Sequence, residues 1–158
     1  MGKFRAECIT DYKKINIEKL SDWMFNWWGK SEGWTKEKVV HYMEHSFNSE
    51  LLPKTIVVFN ENNEEVAMCQ VTMHDLSSRP DIYPYLANLY VDVPFRHNGL
   101  VKVLLDKALE VAKEFGIKTL YLFTPHENLY DKYDWQQIGY VETFQTPHLQ
   151  RLYKYELN

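Results

Sequence analysis

The chain has 158 residues, which suits one domain with a sizeable core, and its composition is ordinary for a soluble protein except for 15% aromatic residues. Its net charge of -4 gives no reason to expect nucleic acid or an anionic membrane as a partner. No apolar run reaches the ~18 residues that a membrane helix needs, and the first residues lack the apolar segment of a signal peptide.

The first half of the chain predicts a strand, two helices and a β-hairpin. Residues 4–9 have a strand pattern, and residues 20–28 carry apolar side chains at helical spacing. A second short helix is predicted over 35–47, and its first residue, a threonine, can cap it. Residues 55–59 and 66–73 are strand-like and flank the polar turn NENNEE, so we expect them to pair as a hairpin.

The second half predicts a strand–helix–strand unit after a loop. Residues 77–84 contain two prolines with serines and an aspartate, which is typical of a loop. A strand over 86–93 then leads into a long amphipathic helix over 100–115, which Gly116 ends as a left-handed residue. Residues 118–123 have the pattern of a buried strand.

The remaining residues predict a short helix over 127–133 and two last strands over 139–143 and 152–157. Only the unit between residues 86 and 123 has the order of a βαβ crossover, whose two strands should be parallel. We therefore expect an α/β (α+β) fold: a mixed, mostly antiparallel twisted sheet with helices on both faces and one central parallel βαβ unit.

The stretch VPFRHNGLVKVLL, residues 93–105, is a candidate ligand site because a strand leads directly into a helix there. The first amides of a helix have no internal partner and the helix dipole adds positive potential, so a phosphate fits such a place. Gly99 leaves room for close approach of the backbone, and Arg96 adds a guanidinium group. These residues alone leave two alternatives open, an ordinary helix start and a phosphate-binding loop.

Residues 86–135 resemble the acyl-CoA-binding half of the GNAT superfamily of N-acetyltransferases. The stretch LANLYVDVPFRHNGLVKVLLDKAL is similar to that family's central strand, its [R/Q]-x-x-G-x-[G/A] pyrophosphate loop and the helix that follows. Arg96 and Gly99 match the loop motif, whereas Val101 stands where the family usually has glycine or alanine.

A second stretch, NLYDKYDW at residues 128–135, is similar to the L-Y-x-K-x-G-[F/W] segment of the same family. Tyr130 falls on the tyrosine that often protonates the leaving thiolate. Asp134 replaces the usual glycine, and Trp135 takes the aromatic position.

The resemblance implies a single acyl-CoA-dependent N-acetyltransferase domain over residues 1–158, in which a primary amine of a small molecule attacks the thioester of acetyl-CoA directly. The family binds the pantetheine arm like an extra strand where two strands splay, here 86–93 and 118–123. The backbone of three residues would face the pantetheine amides or the thioester, namely Leu89, Tyr90 and Val91. The loop residues that would hold the pyrophosphate are Arg96, His97, Asn98, Gly99, Leu100 and Val101.

Tyr130 is the predicted general acid. The reference pKa of tyrosine, ~10, is close to that of an alkyl thiol, so the hydroxyl can share its proton with the leaving thiolate. The alternative is an ordinary core aromatic residue. The general base stays open, and the candidates are His74, Asp75, Asn88 acting through a water, and His126.

The acceptor side has a concentration of aromatic residues. Four of the five tryptophans lie between positions 23 and 34, in the region that usually covers the acceptor pocket in the family. Ring faces can bind a cation, with Glu32 or Asp81 nearby, but helical spacing also fits a plain core stripe. The residues predicted to bind the acceptor are Trp28, Trp34, Tyr83, Asn88 and His126.

Two other functions stay open: acetylation of a protein or peptide amine, against which the bulky aromatic region argues mildly, and a catalytically silent acyl-CoA-binding domain. Cys8 and Cys69 lie far apart without the spacing of a metal site, so we expect no metal, a buried free thiol at Cys69 and a reducing cytoplasm. Tyr153 and Tyr155 alternate on a C-terminal strand that could pair in a homodimer or pack on the chain's own sheet.

Overall fold

The computed structural model describes residues 3–158, which form seven strands and three α-helices. In chain order, the elements are β1 (Arg5–Ile9), α1 (Ile17–Met24), α2 (Lys36–Glu44), β2 (Lys54–Phe59), β3 (Glu65–Thr72), β4 (Tyr85–Val91), α3 (Leu100–Phe115), β5 (Thr119–Thr124), β6 (Gln136–Glu142) and β7 (Leu149–Glu156). A π-helical turn, Phe25–Gly29, follows α1 directly.

All strands belong to one sheet with the order β1-β2-β3-β4-β5-β7-β6. Neighbouring strands are antiparallel except β4 and β5, which are parallel and joined through α3. The expected fold class is therefore confirmed: a mostly antiparallel mixed sheet contains one central βαβ unit.

The helix α3 covers one face of the sheet. It buries the apolar stripe that the sequence predicted, including Leu104, Leu105 and Ala108, against the side chains of β1 to β4. Left-handed glycines delimit the helix, Gly99 at its start (φ 73°) and Gly116 at its end (φ 91°). We call the cluster under α3 the main core.

The opposite face carries two separate apolar clusters. Over β1 to β3, the helices α1 and α2 bury a set of large side chains that includes Leu20, Trp23 and Met43. Over β4, β5 and β7, the loop after β3 contributes Leu76, which packs with Tyr85 and other side chains of these strands. The boundary between the two clusters lies along β4.

The predicted helix over 127–133 is wrong. Only a three-residue 3-10 turn, Asp131–Tyr133, forms there, because the backbone is left-handed on both sides, at Asn128 (φ 58°) and Asp134 (φ 69°). The last two strands each begin three residues before the predicted start. The second helix ends at Glu44, where the Ser46 hydroxyl donates to the Tyr42 carbonyl oxygen (2.7 Å).

The strand that carries Tyr153 and Tyr155 is not an edge strand. β7 lies between β5 and β6, and Tyr153 is buried, so these tyrosines pack on the chain's own sheet. That contradicts their use as a dimer edge. In residues 3–158, we find no helix with the length and apolar character that crossing a membrane requires.

Candidate active site

The two parallel strands separate soon after they begin. Among the described residues, β4 and β5 pair only at Tyr85 and Tyr121, where the Tyr121 amide also donates to the Pro84 carbonyl oxygen (3.0 Å). Beyond this pair, no residue of β4 is paired with β5 in the part of the chain that the structure describes. An extended ligand can therefore pair with this free edge of β4.

A bulge interrupts β4 in the middle of this free edge. Gln70 of β3 pairs with Ala87, and Met68 pairs with Tyr90, so two residues of β4 lie opposite one residue of β3. The extra residue is taken up at Asn88, whose φ of 52° is left-handed. Asparagine tolerates this conformation, and the bulge reorients the backbone groups around Leu89.

The loop between β4 and α3 presents a run of free amides. Backbone N–H groups of residues 97–102 donate to no acceptor between residues 3 and 158. His97 (φ 68°) and Gly99 (φ 73°) are left-handed, and the Asn98 side-chain amide closes the loop on the carbonyl oxygens of Phe95 (2.9 Å) and Arg96 (3.3 Å). Free amides at a helix N-terminus form an anion-binding concavity.

Two further loop residues bear on this anion site. Arg96 donates from Nε to the Val91 carbonyl oxygen (2.9 Å), and its guanidinium carbon lies 5.5 Å from the centre of the Tyr90 ring, so the side chain is anchored beside the loop while it stays exposed. Val101 is half-buried and packs on the main core. Its backbone amide remains among the free ones.

Tyr130 lies in the main core, directly before the 3-10 turn. Its ring packs against Trp135 (6.3 Å between ring centres) and Tyr153 (6.0 Å). Burial, together with the nearby Cys69 and Tyr153, raises the pKa of the Tyr130 hydroxyl above its ordinary value. The turn is tied to β7, because the Tyr153 hydroxyl donates to Asp131 (2.6 Å).

The position of Tyr130 relative to β4 follows from Cys69. Cys69 is the β3 residue opposite the β4 bulge, and its side chain lies in the main core near Leu104. Tyr130 therefore approaches the bulge from the α3 face of the sheet. Asp134 adopts the left-handed backbone that glycine prefers, which explains how an aspartate occupies the position of the family's glycine.

The other face of β4 is polar. The Asn88 side-chain amide donates to Gln70 (2.7 Å) and to the Tyr42 hydroxyl (3.1 Å), and Gln70 is fully buried. Tyr42, Gln70 and Asn88 form what we call the polar seam, which separates the two apolar clusters of this face. Both amide hydrogens of Asn88 are thus donated within the seam, so these two bonds hold its side chain in place.

An aromatic cluster borders the seam. Trp28, Trp34 and Tyr42 meet edge to face, with ring centres 5.0 to 5.8 Å apart. Trp28 Nε1 is buried and has no partner in the described part of the chain. An open pocket of about 620 Å³ lies beside the cluster and is lined by Trp34, Glu37, Lys38, His41 and Tyr42. Trp23 is buried against Tyr90 as a core-stripe residue, and Trp28 and Trp34 are partly buried against the same apolar cluster.

Asp75 has an unusual electrostatic environment. Burial, and secondly the negative charge of Glu32, raises the pKa of the Asp75 carboxyl to about 7. Burial and the charge of Asp75 in turn raise the pKa of the Tyr42 hydroxyl to about 12. Asp75 thus lies within electrostatic range of the seam, and it was one of four candidate bases in the sequence.

Three predicted residues are not brought into the seam. The side chains of His74, Tyr83 and His126 are exposed, and none of them hydrogen-bonds to a seam residue within 3–158. Asp81 is also exposed and is paired with Arg79 at 2.8 and 2.7 Å. Sequence reasoning missed Tyr42 and Gln70, because each fits the apolar or alternating pattern of its own element.

Comparison with known protein families identifies the family of this chain. Residues 17–140 match the model of the acetyltransferase (GNAT) family. The chain belongs to this family. As a GNAT acetyltransferase it is an acetyl-CoA-dependent acyltransferase, and the matched region contains the splayed strands, the bulge and the free amides described above.

Solved GNAT structures share the fold across nearly the whole chain. Aminoglycoside 6'-acetyltransferase type Ii is 16% identical with a TM-score of 0.70, and the match covers 96% of each chain. A GNAT-family acetyltransferase from Streptococcus pneumoniae is 17% identical with a TM-score of 0.70, covering 99% of this chain and 100% of that one.

A third structure is the Salmonella typhimurium acetyl transferase that modifies the N-terminal serine of ribosomal protein L7/L12. It is 12% identical with a TM-score of 0.72, and the match covers 100% of this chain and 97% of that one. At such low identity the likenesses show the fold alone. They include acetyltransferases for a small molecule and for a protein, so they leave the acceptor of this GNAT protein undetermined.

Proposed function

We propose that this GNAT protein transfers the acetyl group of acetyl-CoA to a primary amine of a small molecule, and that the amine attacks the thioester directly. The observation that carries the proposal is the run of free amides at residues 97–102, next to a free and bulged edge of β4. One element of the fold thus offers an anion site and a strand-pairing edge in series. The pyrophosphate and the pantetheine arm of CoA need these two features in this order.

The residues fit the co-substrate as follows. The amides of residues 97–101 would bind the pyrophosphate, with the Arg96 guanidinium beside it. The backbone of Leu89, Tyr90 and Val91 would pair with the pantetheine amides and hold the thioester carbonyl oxygen at the bulge. Acetyl-CoA supplies the electrophilic thioester, and the protein supplies orientation, an oxyanion donor and proton transfer.

Tyr130 would give its proton to sulfur as the carbon–sulfur bond breaks. Its raised pKa keeps the hydroxyl protonated across the neutral range, which suits a proton donor. It approaches the bulge from the α3 face, whereas the polar seam lies on the opposite face. The acid and the acceptor would therefore meet the thioester from opposite sides of β4.

A small cationic acceptor is supported by the aromatic cluster and by Asp75 at the seam. Ring faces and a partly buried carboxylate are the groups that recognise an ammonium ion. The alternatives are a protein or peptide amine, and a silent acyl-CoA-binding domain in which Tyr130 is only a core residue. Each alternative predicts a different outcome of one assay.

The assay measures release of the CoA thiol from acetyl-CoA with a panel of amines: 1,4-diaminobutane, glucosamine, glycinamide and a peptide with a free N-terminus. We expect release with at least one small amine at a rate well above that with the peptide. Release with the peptide alone would favour the protein acceptor.

Binding of CoA is measured in parallel by thermal unfolding. CoA at about 100 times its Kd should stabilise the fold by about 2.7 kcal/mol. Stabilisation without thiol release from any amine would identify a silent binding domain. No stabilisation at all would contradict the proposed CoA site.

A further inference from the structure

Asp75 is a half-buried carboxylate that has no counter-ion among the described residues. It lies in the loop after β3, shortly beyond Thr72, which pairs with Tyr85 of β4. Within residues 3–158 it makes no hydrogen bond and no ion pair through its side chain. Asp81, in the same loop, is instead exposed and held by two hydrogen bonds from Arg79. The charge of Asp75 is therefore available to a ligand.

The titratable groups around Asp75 come from three directions. The charge of Glu32, in the segment before α2, acts on Asp75, and the charge of Asp75 acts on Tyr42 of α2 and on Tyr85 of β4. His74, its chain neighbour, is exposed, and the Arg79–Asp81 pair acts on Tyr85. The strongest charge that acts on Asp75 is another carboxylate, so the site has a negative potential that a cation would relieve.

Leu76, the residue after Asp75, packs with Tyr85, a buried residue whose hydroxyl also lacks a partner among the described residues. Tyr85 is 1% exposed, and its hydroxyl makes no hydrogen bond within the described residues. Burial and the charge of Asp75 raise the pKa of this hydroxyl. A buried hydroxyl without a partner is costly, and a ligand with hydrogen-bonding capacity would satisfy it. This observation points to an occupant independently of the two carboxylates.

The site is close to the reaction centre. Asp75 acts electrostatically on the Tyr42 hydroxyl, which accepts a hydrogen bond from Asn88, the residue at the β4 bulge. The site therefore lies on the seam face of the bulge, opposite Tyr130. We propose that Asp75 binds the ammonium group of the acceptor and takes its proton, so that a neutral amine attacks the thioester. This inference rests on the proposed function.

The step balances in protons and electrons. The Asp75 carboxylate takes one proton from the ammonium, and the nitrogen lone pair then forms a bond to the thioester carbon. The carbon–sulfur bond breaks, and sulfur takes a proton from Tyr130. The nitrogen loses its second proton to solvent, from which Tyr130 recovers one, and Asp75 releases its own. Each acetyl transfer therefore releases one net proton.

The experiment measures kcat/KM against pH with the panel amine that gives the highest value. Wild type should lose activity about tenfold per pH unit below about pH 7, where Asp75 is protonated. Glu32→Gln removes a like charge, so the pKa of Asp75 falls and this acid limb should move to lower pH. A merely structural role of Asp75 would not move the limb.

Asp75→Asn should lower kcat by about 100-fold or more and remove the acid limb. Asp75→Glu should recover part of the activity. Asp81→Asn is the matched control from the same loop and should keep wild-type kcat and the wild-type limb. Asp75→Asn with kcat within threefold of wild type and an intact limb would overturn the inference.

Two further readouts keep the test decisive. CoA affinity and thermal unfolding of each variant show whether the fold is intact. If Asp75→Asn does not fold, the Glu32→Gln variant tests the inference instead. An acid limb of the kcat/KM profile that stays at the wild-type pH in Glu32→Gln overturns the inference. If the wild type is inactive with every amine, the proposed function itself is contradicted. If the wild type and Asp75→Asn are both active, only the role of Asp75 is contradicted.

Discussion

The two sides of β4 present different chemical groups: backbone groups on one side and side chains on the other. On the side where we propose that CoA binds, the anion site and the strand-pairing edge are backbone groups of one continuous stretch, residues 87–102. On the proposed acceptor side, the seam is made of side chains from α2, β3 and β4, and the charge of Asp75, from a loop, acts on it. We propose that the backbone site binds a co-substrate common to the family, whereas the side-chain site can differ between members that bind different acceptors.

The difference also predicts how each side can be damaged. A backbone site loses function when the backbone conformation changes. Such a change is expected when a glycine with positive φ is replaced by a residue with a Cβ. A side-chain site loses function through truncation or loss of charge. The variants below use this distinction to separate the two sides.

Among the variants on the proposed CoA side, Tyr130→Phe should have the largest effect. We expect kcat to fall by about 100-fold or more, because the leaving thiolate loses its proton donor, with little change in CoA affinity. Tyr133→Phe, in the same turn, is the control and should retain kcat. Steady-state kinetics and CoA titration measure the two quantities, and an unchanged kcat in Tyr130→Phe would show that this hydroxyl is not the acid.

Gly99→Ala should weaken CoA binding by about tenfold, because a left-handed backbone costs a residue with a Cβ roughly 1–2 kcal/mol. The structure leaves open space for the added Cβ at Gly99, so the effect is conformational. Gly116→Ala, at the other end of α3, carries a similar strain and also has open space. Calorimetric titration with CoA should separate them, and equal affinities would contradict the site at residues 97–102.

Trp34→Ala should raise KM for a cationic amine by about threefold to tenfold, which corresponds to the loss of one cation–π contact. Trp34→Phe keeps an aromatic face and should stay close to wild type. CoA affinity should be unchanged in both. If Trp34→Ala changes CoA affinity and does not change the KM for the amine, then Trp34 lies on the CoA side and our assignment of the two sides is wrong.

Asp75→Asn should stabilise the protein without ligands at pH 8. The folded-state pKa of about 7 lies above the reference of 3.8, so the fold favours the protonated form. The contribution of the protonated carboxyl to the free energy of unfolding is fully present below about pH 4 and is lost as pH rises through 7. The variant stays neutral, so its Tm at pH 8 should rise by roughly 2–4 °C per kcal/mol gained.

The same variant at pH 4 should match wild type in Tm, because both side chains are then neutral. Asp81→Asn should show no stabilisation at pH 8, since hydrogen bonds from Arg79 lower the pKa of Asp81. A Tm of Asp75→Asn below that of wild type at pH 8 would contradict the environment that we assign to this carboxylate.

Val101→Gly should have the smallest effect on the CoA side. The Val101 side chain packs on the main core, so its removal lowers stability, but the amide stays in place and CoA affinity should be unchanged or higher. Val103→Gly, half-buried on the same helix, is the matched control. A large loss of CoA affinity confined to Val101→Gly would mean that the side chain itself takes part in binding.

Much of the fold could be predicted from the sequence because local patterns determine it. The apolar stripe of α3, its two glycine ends and the paired strands all follow from periodicity and turn residues. The helix over 127–133 was predicted wrongly, because left-handed backbone at Asn128 and Asp134 interrupts it and neither residue is a glycine. Single residues with positive φ leave little trace in a sequence.

The candidate site also has one part that the sequence predicts and one part that it does not. The loop at Arg96 and Gly99 was visible, because a backbone site needs particular residues at fixed spacing. The sequence does not indicate Tyr42 and Gln70, since they meet only after α2 packs on β3. Asn88 is predicted to bind the acceptor, and its amide donates to both of them. Side chains that converge from separate elements carry no spacing rule.

The most direct test of the account is hydrogen exchange of the backbone amides with and without saturating CoA. The account predicts that amides of residues 97–102, which have no acceptor within 3–158, exchange fast in the free protein and become protected by CoA. The segment 34–42 on the acceptor side should keep its exchange rates. Protection of 34–42 with no change at 97–102 would contradict the central claim.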